Sequence, residues 1–169
     1  MKKLLSFTPV ITLLFFAACS GGGTESTCKL NDVEFVLEGP LFEGPNSGNI
    51  MIKNDLSACT GADIKPDQVR DAKLKSAVIK AVNGSNLGLF SDFKLSLMGA
   101  DDLPMTAIAQ KNPIESGASQ VNLDVSDEAE SEEFFKSNEF ILLLDAGTKS
   151  DVDDNVVLKA DLEFIITSK

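Results

Sequence analysis

Val156-Val157-Leu158-Lys159-Ala160-Asp161-Leu162-Glu163-Phe164-Ile165-Ile166-Thr167 alternates along almost its whole length. Val156, Leu158, Ala160, Leu162, Phe164 and Ile166 fall on one face, and Lys159, Asp161 and Glu163 on the other. Successive side chains of a strand point to opposite sides, so this period of two predicts a strand with one face on a core and one in water. Working outward, the same pattern recurs. Phe93, Leu95 and Leu97 alternate with Lys94, Ser96 and Met98, and Val33, Phe35 and Leu37 alternate with Asp32, Glu34 and Val36. Shorter strands are expected at Asn49–Ile52, Met105–Gln110 and Gln120–Val125, the last with Val121, Leu123 and Val125 inward. Phe140–Leu144 is apolar throughout, which predicts a central strand covered on both faces.

Lys73–Val82 reads as a strand because β-branched residues gather at its centre and Asn83-Gly84 stops it. A continuous helix from Pro66 to Val82 is the rival reading. Gly39-Pro40, the cluster Gly44-Pro45-Asn46-Ser47-Gly48, Asp101-Asp102, Asn112-Pro113 and Ser116-Gly117 predict turns, and Asn54–Gly61 a loop. Lys65–Ala72 suits one or two helical turns with Pro66 near the start. A second helix is expected from Asp127, where Glu130 completes a capping box, to Asn138, docked by Phe134 and Phe135. About eight strands with one or two short helices follow. Their alternation predicts a mainly β chain of two antiparallel sheets packed face to face, a β-sandwich, with a closed barrel as second choice.

The N-terminus carries a different signal. Lys2 and Lys3 precede a mainly apolar run, Leu4 to Ala18, that holds Ser6, Thr8, Pro9 and Thr12. It is shorter than the roughly 20 residues of a spanning helix and has the shape of a secretory signal peptide. Phe16-Ala17-Ala18-Cys19 follows, with small residues directly before the cysteine. This resembles the lipobox of bacterial lipoproteins, with Phe16 where the family usually has Leu. An ordinary cleaved signal peptide or an uncleaved anchor is the rival. The resemblance covers only the first 20 residues. It implies cleavage before Cys19, a diacylglycerol on its sulfur and an acyl chain such as palmitate on its new amino group. It also implies a chain held at a lipid bilayer, and Ser20, not Asp, in the following place implies the outer membrane more than the inner. The expected organisation is a signal peptide over 1–18, the lipidated cysteine and a Gly-rich tether over 19–27, and one β-domain over 28–169.

Composition bounds the chemistry. Of 169 residues, cleavage would remove 18 and leave 151, enough for a single core. The formal charge is −11, and loss of Lys2 and Lys3 would make it −13, which disfavours nucleic acid and anionic headgroups as partners. There is no His, Trp or Tyr. Triads, Cys–His pairs and His-bearing zinc sites are thereby excluded, and the rings that usually stack sugars are missing. With Cys19 assigned to the anchor, Cys28 and Cys59 form a pair. In an oxidising compartment they are expected to be bridged; two buried free thiols are the alternative.

Asp151-Val152-Asp153-Asp154-Asn155 resembles the opening of a calcium loop, with Asp151, Asp153 and Asn155 as candidate ligands. The pattern fails beyond, since Val156 stands where glycine is needed and Leu162 where the bidentate Glu belongs. A solvated, turn-rich loop is the competing explanation. Asp101 and Asp102 are adjacent, which points them apart rather than into one site. The acids at Glu128–Glu133 suit a helix start. No nucleophile elbow or phosphate loop is present. The sequence predicts no catalytic residues and no obligatory cofactor. The leading expectation is a non-enzymatic envelope lipoprotein that binds or braces another envelope protein. A calcium-assisted surface adhesin is the alternative, and a hydrolase working through carboxylates alone is third.

Overall fold

A strand with one apolar face needs a second apolar surface to cover it, and here two sheets supply one another's cover. The computed structural model describes residues 23–82, 87–99 and 103–169. Among these lie nine strands: β1 (Thr24–Leu37), β2 (Gly44–Lys53), β3 (Val69–Ala81), β4 (Phe90–Gly99), β5 (Thr106–Lys111), β6 (Gln120–Asn122), β7 (Asp124–Val125), β8 (Glu139–Thr148) and β9 (Val156–Ser168). Two five-residue helices, α1 (Leu56–Thr60) and α2 (Glu132–Lys136), accompany them. One sheet has the order β1-β9-β3-β6 and the other β2-β8-β4-β5-β7. All neighbouring strands are antiparallel. The chain is the expected two-sheet antiparallel β-sandwich, not a closed barrel.

The core forms between the sheets. Leu158, Ala160, Leu162, Phe164 and Ile166 of β9 are buried, as are Phe140, Leu142 and Leu144 of β8 and Phe93, Leu95 and Leu97 of β4. Phe135 of α2 ties the layers together, its ring centroid 4.9 Å from Phe164 of one sheet and 5.3 Å from Phe140 of the other.

Several expectations are corrected. β1 starts at Thr24, paired with Ser168, so Thr24–Thr27 belong to the sheet rather than to a tether ending at residue 27. The predicted turn at Gly44–Gly48 is the first half of β2. β2 is an edge strand, where Pro45 loses no ladder bond it needs. Gly48 is required by close approach, because a Cβ there would lie 2.8 Å from the Val36 carbonyl oxygen of β1. The loop predicted at Asn54–Gly61 contains α1. The Asp55 carboxylate accepts from the Ala58 N–H at 2.9 Å, and the Gly61 N–H closes the helix on Ser57 O at 2.9 Å. The predicted helix from Asp127 is shorter. It begins at Glu132, and Ser131 makes no side-chain cap. Before Phe134 the acidic run has little to bury, so one turn forms around the two phenylalanines. Gln120–Val125 is not one strand: β6 pairs with β3 and β7 with β5, and the chain changes sheets at Leu123. β8 is covered on one face only, since Ile141 and Leu143 are half-exposed on the other. Pro66–Gln68 is a single 3-10 turn leading into β3, so the continuous helix is not formed. Cys19, the segment 1–18, Asn83-Gly84 and Asp101-Asp102 lie outside the described residues.

Cys28 on β1 and Cys59 on α1 form the expected disulfide, with Cα atoms 4.6 Å apart. It pins α1 to the edge strand of the four-stranded sheet. The outer face of that sheet is a charge ladder. Lys75 Nζ reaches Glu163 Oε1 at 2.6 Å, Lys80 pairs with Asp161, and Lys159 lies 3.6 Å from Asp32. Asp32 sits at a bulge in β1 with φ of 53°, and its N–H donates to Asp161 Oδ1 at 2.9 Å. That backbone bond, followed by the Lys80 ammonium, holds the Asp161 carboxyl below its usual range.

Two outcomes follow. The bridge spans 31 positions, so replacing both cysteines by Ala should lower unfolding free energy by about 3 kcal/mol on the chain-entropy model, read by urea titration. The Asp161 contribution is complete above the ordinary aspartate pKa of about 3.9 and fades as pH falls through its lower folded value. Urea midpoints between pH 7 and pH 2 should therefore fall less steeply at the acid end for Asp161→Asn than for the natural chain.

Candidate functional site: the paired crossover loops

The sheet orders dictate where two loops meet. The chain passes from one sheet to the other between β1 and β2, and returns between β8 and β9. Because β1 pairs with β9 and β2 with β8, these crossovers run side by side at one end of the sandwich. Loop 38–43 and loop 149–155 are stitched together along their length. Leu41 and Val152 exchange two backbone bonds of 2.8 and 2.9 Å. The Gly39 N–H donates to Asn155 Oδ1 at 2.8 Å, and the Glu43 N–H to Asp151 Oδ1 at 2.7 Å. The Phe42 carbonyl accepts from Thr148 Oγ1 at 2.6 Å and from Asn46 Nδ2 at 2.9 Å. Gly39 lies so close to the facing loop that a Cβ would stand 2.7 Å from the Asp153 carbonyl oxygen.

This stitching decides where side chains go. Leu41 turns inward and is 2% exposed, while its neighbour Phe42 is 66% exposed. Phe42 is the most exposed large apolar side chain among the described residues; Met51, Met105 and Val36 follow. Glu38, Glu43, Asp151, Asp153 and Asp154 are all exposed on the same two loops. Lys149 is turned aside, its Nζ 3.0 Å from the Gly88 carbonyl oxygen.

The structure puts the candidate calcium ligands Asp151, Asp153 and Asn155 on one loop. Two of them serve the backbone instead, since the Asp151 and Asn155 side-chain oxygens accept N–H groups of loop 38–43. Among the described residues no group of three or more acidic or cysteine side chains is arranged to hold a metal ion. The acids near α2 line a surface depression with Asp71 and Lys73. Glu132 there and the adjacent Glu133 both accept from Lys136, whose ammonium is held above its usual range by Glu132 first and Glu133 second.

Sequence reasoning singled out the segment 151–155 but missed Phe42. The available signal was local: Gly39-Pro40 followed by two large apolar residues in a row, Leu41 and Phe42, before Glu43. A period-two reading cannot tell which of two adjacent loop residues is turned out.

No family model matches the chain. No curated protein matches it. Among solved structures, one described as the structural basis for the promiscuous specificity of carbohydrate-binding modules from the β-sandwich superfamily is similar to it. Identity is 8%, the TM-score is 0.34, and the match covers 88% of this chain and 58% of that one. The chain thus spans less than two thirds of the length of that structure.

Asp151→Ala removes the acceptor of the Glu43 N–H. It should cost about 1 kcal/mol of stability. The Glu43 amide should lose hydrogen-exchange protection, while amides of the central strand β9 keep theirs.

Proposed function

We propose that this chain is a lipid-anchored, non-catalytic binding module of a bacterial cell envelope. The observation that carries the reading is the position of Cys19, behind Phe16-Ala17-Ala18 at the end of an apolar run and five residues before β1 begins at Thr24. A diacylglycerol on its sulfur and an acyl chain on its amino group would hold the sandwich close to a bilayer. Each buried CH2 contributes about 0.8 kcal/mol, so two or three chains anchor stably where one does not. The Cys28–Cys59 disulfide is compatible with an oxidising compartment outside the cytoplasm. Ser20 favours the outer membrane as the destination.

The binding role rests on chemistry. The chain has no His, and the acids Asp161, Glu163, Glu132 and Glu133 are each engaged by lysines. The stitched loops offer a fixed surface for recognition of a second envelope component.

Cells expressing the full chain and its Cys19→Ala variant, fed labelled palmitate, test the anchor. Label should enter the natural chain and be absent from the variant, and mass spectrometry should find the mature protein beginning at an acylated Cys19. Label persisting in the variant, or an unacylated mature chain, would overturn the reading.

A further inference from the structure

Resting on that reading, we infer that the paired loops are a protein-docking site in which Phe42 enters an apolar pocket bordered by Lys and Arg side chains on the partner. Three observations converge. First, Phe42 is 66% exposed on a backbone fixed on both sides by the Leu41–Val152, Gly39–Asn155 and Glu43–Asp151 bonds. A side chain presented by a fixed backbone gives up little loop freedom on binding, and aromatic anchors entering pockets carry much of the energy of an interface.

Second, the phenyl ring shares its loops with Glu38, Glu43, Asp151, Asp153 and Asp154, while Lys149 is turned toward Gly88. Complementarity calls for cations around the receiving pocket, and it works against an anionic bilayer or a nucleic acid. Third, the site lies at the far end of β1 from the anchor. β1 holds 14 residues, so at strand rise the tip stands on the order of 40 Å from Thr24. Phe42 therefore stands at the end of the sandwich opposite the one from which the anchored segment would leave.

The test places a photo-crosslinking phenylalanine analogue at position 42 of the full chain, in the cells that make it. A second chain carries the analogue at Met51, an exposed site on the outer face of the five-stranded sheet. The expected result is one protein adduct from position 42 and none of that mass from position 51. In the triple variant Glu38→Gln, Asp153→Asn, Asp154→Asn the adduct should fall roughly ten-fold, because rim charges steer association. An unchanged melting temperature shows that the triple variant is folded. The crosslinked peptide of the partner should carry Lys or Arg beside apolar residues. A lipid adduct, an adduct equal at both positions, one indifferent to the triple variant, or no adduct at all would overturn the inference. Palmitate labelling of Cys19 in the same cells is read separately, so loss of the adduct with the label intact removes the docking site and leaves the anchor standing.

Discussion

Leu158, Ala160, Leu162, Phe164 and Ile166 leave water together, and β9 can bury all five only by lying inside the sandwich with its charged residues outward. Fully burying a Leu or Phe side chain is worth about 1.5–3 kcal/mol, so this one face outweighs any single polar contact in the molecule. It also fixes register. A slip of one residue would put Lys159, Asp161 and Glu163 into the core and the apolar set into solvent. The outer ladder agrees with the inner face: Asp161 and Glu163 meet Lys80 and Lys75 of β3 only in this pairing. Exposed pairs of this kind add little stability. Their value is that both faces of β9 specify the same alignment.

From that alignment the crossover loops follow. With β1 beside β9 and β2 beside β8, loops 38–43 and 149–155 have no choice but to run together. Asp151 and Asn155 then serve as acceptors for N–H groups that the sheets do not pair. An unmade bond of this sort costs more than a made one contributes, so Asp151 and Asn155 are better explained as loop ties than by their spacing alone. The inward turn of Leu41 and the outward turn of Phe42 are two results of the same constraint.

How much of this was legible depended on the range of the interaction involved. Period-two runs such as Phe93–Met98 and Val156–Thr167 declare themselves because the signal and its cause lie in the same few residues. The sandwich and the buried phenylalanines were accordingly readable, whereas the Cys28–Cys59 bridge, 31 positions long, was readable only from the count of cysteines. Gly44–Gly48 misled because its turn formers sit on a sheet edge, and nothing local says which strand is an edge. At Asp127–Lys136 the capping pattern was a local preference that burial of Phe134 and Phe135 overrode. At Gln120–Val125 alternation was correct, but the change of sheet at Leu123 depends on partners more than ten residues away. The polar cluster of 151–155 was visible. The use of Asp151 and Asn155 was hidden, because their acceptor bonds reach back more than a hundred residues to Glu43 and Gly39.

The place of β9 has a bearing on how the chain matures. β1 and β3 do not pair with each other in their sheet; the closing strand, Val156–Ser168, lies between them, and it is the only strand that β1 pairs with among the described residues. A polypeptide delivered beginning with its N-terminus therefore carries its first strand unpaired until its last residues arrive. Such non-local closure is slow, since the entropy of joining distant segments is lost before contacts compensate. The four-stranded sheet is thus completed last, and a growing chain that has not yet reached Val156 holds β1 without its neighbour.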